Sequence, residues 1–313
     1  MSHIRSALAL LTLALSVLAA PLTAMAGTPL PVCVTIAPQA FFVKKIGGDL
    51  VDPTILVPAG ADPHSYEPKP GQMKAVAKAK AYFALGISFE DAWLSRLKSA
   101  NPGLFVVSTQ EGVDKIPMAA HSHEQHEETG EEHKVETENG QQEAHHDHEA
   151  MLDPHIWLDP NLVKIQAENI EKGLAQADPA HAAVYAANLK SFLEELTALD
   201  ADIKALFAKA PAKDKSFIVF HPSWGYFAKA YGLTQVPIEV EGAEPSPREL
   251  AEIIEHAKEN NVKVIFAQPE FSDKSAQTVA AETGARVARL DPLAENWDEN
   301  LRAAATAIEE ALR

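Results

Sequence analysis

The stretch that most limits what this chain can fold into is one apolar stripe. Tyr185, Leu189, Phe192, Leu196, Leu199, Ile203 and Leu206 recur with 4-3 spacing. That spacing places them along one face of a helix that starts at an Asp178-Pro179 cap and runs to about Lys209. At about 1.5 Å per residue, roughly thirty residues extend about 45 Å, longer than a small domain is wide. Such a helix either pairs with a second copy as a coiled coil or acts as a spine between two lobes. The sequence on either side favours the spine.

On both sides, strand-like and helix-like segments alternate. Before the stripe, VCVTIA, TILVPA, AYFALG and LFVV read as strands. PQAFFVKKIGG, Gln72 to Lys80, Glu90 to Lys98 and about Asn161 to Gln176 read as helices. After it, SFIVF, QVPIEV, VKVIFA and RVARL are strands. They alternate with helices from Trp224 to Tyr231, from Pro247 to Asn260 behind a Ser246 cap, from Asp273 to Thr283 with Gly284 as terminator, and from about Trp297. Repeated units of this length mean parallel sheets. The expected fold is therefore α/β, with two lobes, each a parallel sheet with flanking helices, joined by one long helical spine. The expected divisions are 27–177 for the N-terminal lobe, 178–210 for the linking helix and 211–313 for the C-terminal lobe.

Residues 1–26 carry a short basic start, an apolar run from Ala7 to Ala20 and the small-residue site Ala24-Met25-Ala26, the pattern of a cleavable export signal. The apolar run is too short to span a bilayer, and no cysteine follows the cleavage site to carry a lipid anchor. A free periplasmic protein is expected. Cys33 is the only cysteine and lies in an apolar strand, so it reads as a buried inert thiol. The formal net charge of −17 repels nucleic acid and anionic lipid and favours cations.

Residues 120–150 break the alternation. They hold His121, His123, His126, His133, His145, His146 and His148, seven of the thirteen histidines, with ten acids against one lysine. With almost no large apolar residue, this segment has too little to bury and is expected to be disordered without metal. A solvated charge run explains the acids but not the histidines, so weak multi-site metal binding is expected there.

Four candidate ligands stand just past strand ends or in Asp-Pro turns: His64 in ADPHSYEP, His155 in DPHIWLDP, His221 directly after SFIVF and Asp291 in LDPL. Ligands of open parallel sheets bind outside the carboxyl ends of strands, so a site built from these four would lie in the cleft between lobes. Three imidazoles and one carboxylate suit zinc in four-coordinate geometry. Each residue taken singly has a plainer role: His64, His155 and Asp291 as turn caps, His221 as a strand-end residue packed on Trp224.

These motifs, in this order, together with FHPSWGYFAKAYGL, resemble the periplasmic zinc-binding proteins of high-affinity zinc ABC transporters. That family of metal-binding solute receptors also has manganese and iron members. The similarity runs from about Val32 to the C-terminus. It implies two lobes joined by one long helix with the metal between them, and His64, His155 and His221 as zinc ligands with Asp291 or water as the fourth. Manganese members carry a carboxylate at the position of His221, so the histidine here speaks for zinc. Zinc members often carry a disulfide-forming cysteine pair that this chain lacks.

The resemblance implies a monomeric receptor that captures zinc and hands it to an ABC transporter membrane permease, with a periplasmic zinc chaperone as a further partner and no nucleic acid. Delivery requires release by a small displacement of the lobe-two ligands, and affinity is expected to fall below about pH 6.5. A manganese receptor of the same family and a periplasmic zinc buffer are the alternatives. A zinc hydrolase would need a general base such as Glu67, Glu241, Glu244 or Glu270, but no HExxH pair is present.

Overall fold

The computed structural model describes residues 28–119, 151–209, 215–239 and 243–313. The export-signal stretch and the seven histidines of the 120–150 segment lie outside the described residues. Lobe one contains β1 (Leu30–Val34), α1 (Ala37–Gly47), β2 (Val51–Ile55), α2 (Pro70–Val76), β3 (Ala81–Ala84), α3 (Ser88–Ala100) and β4 (Phe105–Ser108). Its four strands lie in the order β2-β1-β3-β4, all parallel. Two helices follow, α4 (Pro160–Ala177) and α5 (Ala182–Phe207). Lobe two contains β5 (Ser216–Val219), α6 (Gly225–Tyr231), β6 (Thr234–Pro237), α7 (Pro247–Glu259), β7 (Val264–Ala267), α8 (Lys274–Thr283), β8 (Arg286–Arg289) and α9 (Trp297–Ala311). Its sheet repeats the same parallel order, β6-β5-β7-β8.

Local chemistry accounts for these elements. The edge strands β2 and β6 carry Pro53 and Pro237, residues that a central strand would exclude because they donate nothing to the ladder. Asp159 caps α4 by accepting from the Asn161 N–H at 2.8 Å, with Pro160 in the first turn. Ser246 and Glu249 close a reciprocal capping box on α7. Gly284 ends α8 at φ 74°, a backbone state that glycine adopts without strain. Cys33 is buried, which pushes its thiol up to about 12 and keeps it un-ionised.

The long helix departs from expectation at its start. Asp178 does not cap it through backbone N–H groups. A short 3-10 turn, Pro179–His181, intervenes. The Asp178 carboxylate instead accepts from the Tyr185 hydroxyl at 2.7 Å and sits 2.6 Å from His181 Nδ1. The stripe itself is buried within this chain: Tyr185, Phe192, Leu196, Leu199 and Ile203 are all at 2% exposure or less, covered by α1, α4 and α9. Its burial needs no second copy. Each such side chain contributes about 1.5–3 kcal/mol on leaving water.

One continuous core runs through lobe one, along α4 and α5, and into the near face of lobe two; a second, smaller core fills the far side of the lobe-two sheet under α7 and α8. The C-terminal helix bridges the two lobes. Trp297 at its head packs edge-on against Phe42 of α1, ring centres 5.0 Å apart. Its indole N–H donates to the Trp157 carbonyl and the Trp157 indole N–H donates to the Pro292 carbonyl, both at 2.7 Å. DPHIWLDP and LDPL are thereby joined across the cleft.

Candidate metal centre

His155 is held by its own turn. The Asp153 carboxylate accepts from the His155 backbone N–H at 2.9 Å and lies 2.7 Å from its Nδ1. A proton on Nδ1 leaves the Nε2 lone pair free to face outward from that pair. His221 follows β5, with backbone N–H and C=O both bonded to the Gln268 amide, at 2.7 and 2.8 Å. Its Nδ1 lies 2.8 Å from Glu239 Oε1, close enough for strong attraction but off the line of a good hydrogen bond. His64 stands on the loop after β2, where Asp62 accepts its backbone N–H at 2.9 Å and the Ser88 hydroxyl meets its Nδ1 at 2.9 Å.

His155 and His64 thus engage Nδ1 in hydrogen bonds, and His221 sets its Nδ1 beside Glu239. The Nε2 atoms of His155 and His221 lie 3.2 Å apart. One ligand nitrogen from each of His64, His155 and His221 lies within a mutual 4.8 Å, so a small inward shift of the rings would bring all three to the roughly 2.0–2.1 Å of zinc–nitrogen bonds. His155 and His221 are buried and His64 is exposed at the rim. The cavity they share is walled by Ile87, Trp157, Phe271 and Leu293.

Electrostatics favour neutral rings at His155 and His64. Burial lowers the pKa of His155, partly opposed by Asp153. Burial and then repulsion from protonated His221 and His155 lower that of His64; because His64 is the exposed member, water screens its interactions and the shift is firmer at His155.

Asp291 is outside this tight group. Its carboxylate accepts from the Leu293 N–H at 2.8 Å and its backbone carbonyl from the Asn300 amide at 2.7 Å, so it shapes the turn into α9. Burial raises its pKa. Glu270 faces it from the end of β7 and lines the cavity. Burial, then the charge of Asp291, pushes Glu270 up to about 7. His181 and His256 lie away from the site, beside Asp178 and Asn260.

Sequence reasoning missed the groups that hold the rings. Ser88 and Gln268 have no local signature. Glu239 was hidden because QVPIEV reads as a strand through Val240, whereas β6 ends at Pro237 and leaves Glu239 in the loop beyond. Asp153 carried a signal: an Asp two residues before a histidine forms the turn that bonds that residue's backbone N–H.

The family described as zinc-uptake complex component A, periplasmic, has a model that matches residues 32–311. The chain belongs to this family. Among zinc-uptake component A relatives, the high-affinity zinc uptake system protein ZnuA of Bacillus subtilis is 34% identical over 271 residues, covering 85% of this chain and 79% of its own. Zinc-binding protein AdcA of Streptococcus pyogenes serotype M3 is 32% identical over 274 residues, covering 87% of this chain and 52% of its own. The chain thus spans about half the length of the AdcA relatives that it matches. A crystal structure of ZnuA superposes with a TM-score of 0.80 at 43% identity, covering 91% of this chain and 100% of that one. Among the described residues, no helix is long and apolar enough to cross a membrane.

Proposed function

We propose that this protein binds Zn2+ in the periplasm and delivers it to an ABC transporter membrane permease, with His64, His155 and His221 as its protein ligands. The observation that carries the reading is the convergence of three ring nitrogens from separate elements within 4.8 Å, two of them buried and set opposite carboxylates. Three imidazoles favour zinc over manganese, which prefers oxygen donors. Carboxylates behind ligating rings orient them and strengthen their basicity.

The chemistry is capture and release, not turnover. The ligands come from three segments, and His64 lies on an exposed loop steadied by a neutral hydroxyl, so it is the ligand that can leave first. The segment carrying His121 to His148 acts as a weak collector of zinc before the tight site. The N-terminal stretch acts as the export signal, and the receptor works as a monomer.

Calorimetry with zinc tests the site. His64→Ala, His155→Ala and His221→Ala are each expected to lose the tight equivalent, and tight binding retained in all three would refute the assignment. Deleting residues 121–148 should remove weak equivalents and leave the tight one.

A further inference from the structure

Among the described residues on the cavity wall, Glu270 is the one ionisable side chain that the histidine site does not use. Glu270 follows β7 and lines the same cavity as the three rings. Both its carboxylate oxygens are withdrawn from solvent, and among the described residues their only polar contacts are its own backbone N–H and the Asp291 carboxyl. A carboxylate buried in that way is unfavourable, and an adjacent cation is what relieves it. The residues flanking it are anchored. Gln268 is bonded to both backbone groups of His221 and donates to the Ser223 hydroxyl at 2.7 Å, while the Phe271 ring packs 4.8 Å from that of His221. Glu270 is held by no neighbour but the Asp291 carboxyl, on a fixed backbone.

Asp291 is in the opposite state. Its carboxylate is committed to the Leu293 N–H, and Pro292 and Leu293 rather than Asp291 line the cavity. Drawing Asp291 inward would break the turn that leads to Trp297. Moving Glu270 breaks no turn; it gives up only its side-chain hydrogen bond with the Asp291 carboxyl, a pair that repels once both are ionised.

We propose that Glu270 is the carboxylate that completes the zinc site: when the ion meets the three Nε2 atoms, the Glu270 side chain rotates away from Asp291 to take the fourth tetrahedral corner. The assignment rests on the histidine site proposed above. Three neutral rings and one carboxylate leave the filled centre with a single positive charge, and Asp291 remains as the turn that keeps lobe two in register.

Glu270→Gln preserves size and removes the anionic donor. Zinc affinity is read by competition with a chromophoric chelator, and the visible bands of the Co2+-loaded protein report the number and kind of ligands. Expected are a roughly 10- to 100-fold weaker zinc Kd and altered Co2+ bands in Glu270→Gln. A smaller loss is expected in Glu270→Asp, with the bands and Kd of Asp291→Asn close to those of the parent. Melting curves of the apoproteins confirm that each variant is folded. Unchanged Kd and bands in Glu270→Gln overturn the proposal while leaving the histidine site intact, as does a loss in Asp291→Asn equal to that expected of Glu270→Gln. Tight binding that survives His155→Ala would overturn the histidine site itself, and this assignment with it.

Discussion

Thr35 and His221 stand just past the second strand, in sheet order, of their respective lobes, yet their surroundings differ. In lobe one, the Thr35 N–H donates to the Gln39 side chain at 2.9 Å, and its hydroxyl joins Tyr82 and Glu90. Glu90 accepts in turn from the backbone N–H groups at the head of α3, including Leu85 at 2.8 Å. Every member of that network finds its partner inside the lobe. In lobe two, a glutamine again holds the backbone, Gln268 on His221, but the side chain points out to meet His155 of the other half. Two sheets of identical order thus use the same strand ends differently. Topology supplies the place, and satisfaction of the local polar groups decides whether that place becomes core or site.

The largest test removes the joint between the halves. Trp297→Ala deletes a fully buried ring and the hydrogen bond to the Trp157 carbonyl, and should destabilise the protein by about 3–5 kcal/mol in urea unfolding. Because Trp157 lies two residues after His155, zinc affinity should fall with it. Stability lost without any change in affinity would show that the site does not depend on this joint.

Next come the groups behind the rings, which sharpen the contrast between buried and exposed ligands. Asp153→Asn and Glu239→Gln should each weaken zinc about 10- to 100-fold. Ser88→Ala, behind exposed His64, should weaken it by only a few-fold. Equal losses in all three, read by chelator competition, would erase the asymmetry between the rings.

A third variant probes where lobe two touches lobe-one chemistry directly. A Cβ on Gly225, the first residue of α6, would stand 2.6 Å from Asp153 Oδ2. The Tyr226 hydroxyl beside it donates to the Asp153 carbonyl at 2.8 Å. Gly225→Ala should therefore cost about 1–3 kcal/mol and lower zinc affinity by displacing the acid that orients His155. Wild-type affinity in this variant would mean that Asp153 tolerates the shift.

The smallest effect is the pH profile. Protons compete with zinc for neutral imidazole, and the folded-state pKa values of His64 and His155 are lowered below 6.5. Affinity should thus fall as pH drops below 6.5, and the lowered values place the His64 and His155 share of that loss further down than for unperturbed histidines. The same shifts act on the apoprotein. The unfolded chain takes up these protons first, so stability declines as pH falls from the unfolded value of 6.5 through the depressed folded values. Zinc titrations and melts at pH 7.5, 6.5 and 5.5 check both signs.

Much of this was legible in the residues. Strand-helix alternation, the 4-3 stripe and the caps at Asp159, Ser246 and Gly284 are local signals, because the forces behind them act over one or two turns. His64, His155 and His221 were legible as candidates because Asp-Pro turns and strand ends mark the carboxyl edge of a parallel sheet. Asp291 had the same mark, but its carboxylate is spent on the turn into α9. Conversely, Glu270 carried no mark beyond being one of several acids.

The order of hydrophobic and polar residues along the chain was enough to dictate two parallel sheets, a long apolar-striped helix and a set of histidines at loop positions, since each follows from short-range sterics, capping and burial. Which rings meet and which group stands behind each depended on tertiary contacts such as those of Trp157 with Trp297 and of Gly225 with Asp153. Those contacts join residues 72 to 140 positions apart, a separation at which pairing depends on the shape of the assembled core rather than on any neighbour in the chain.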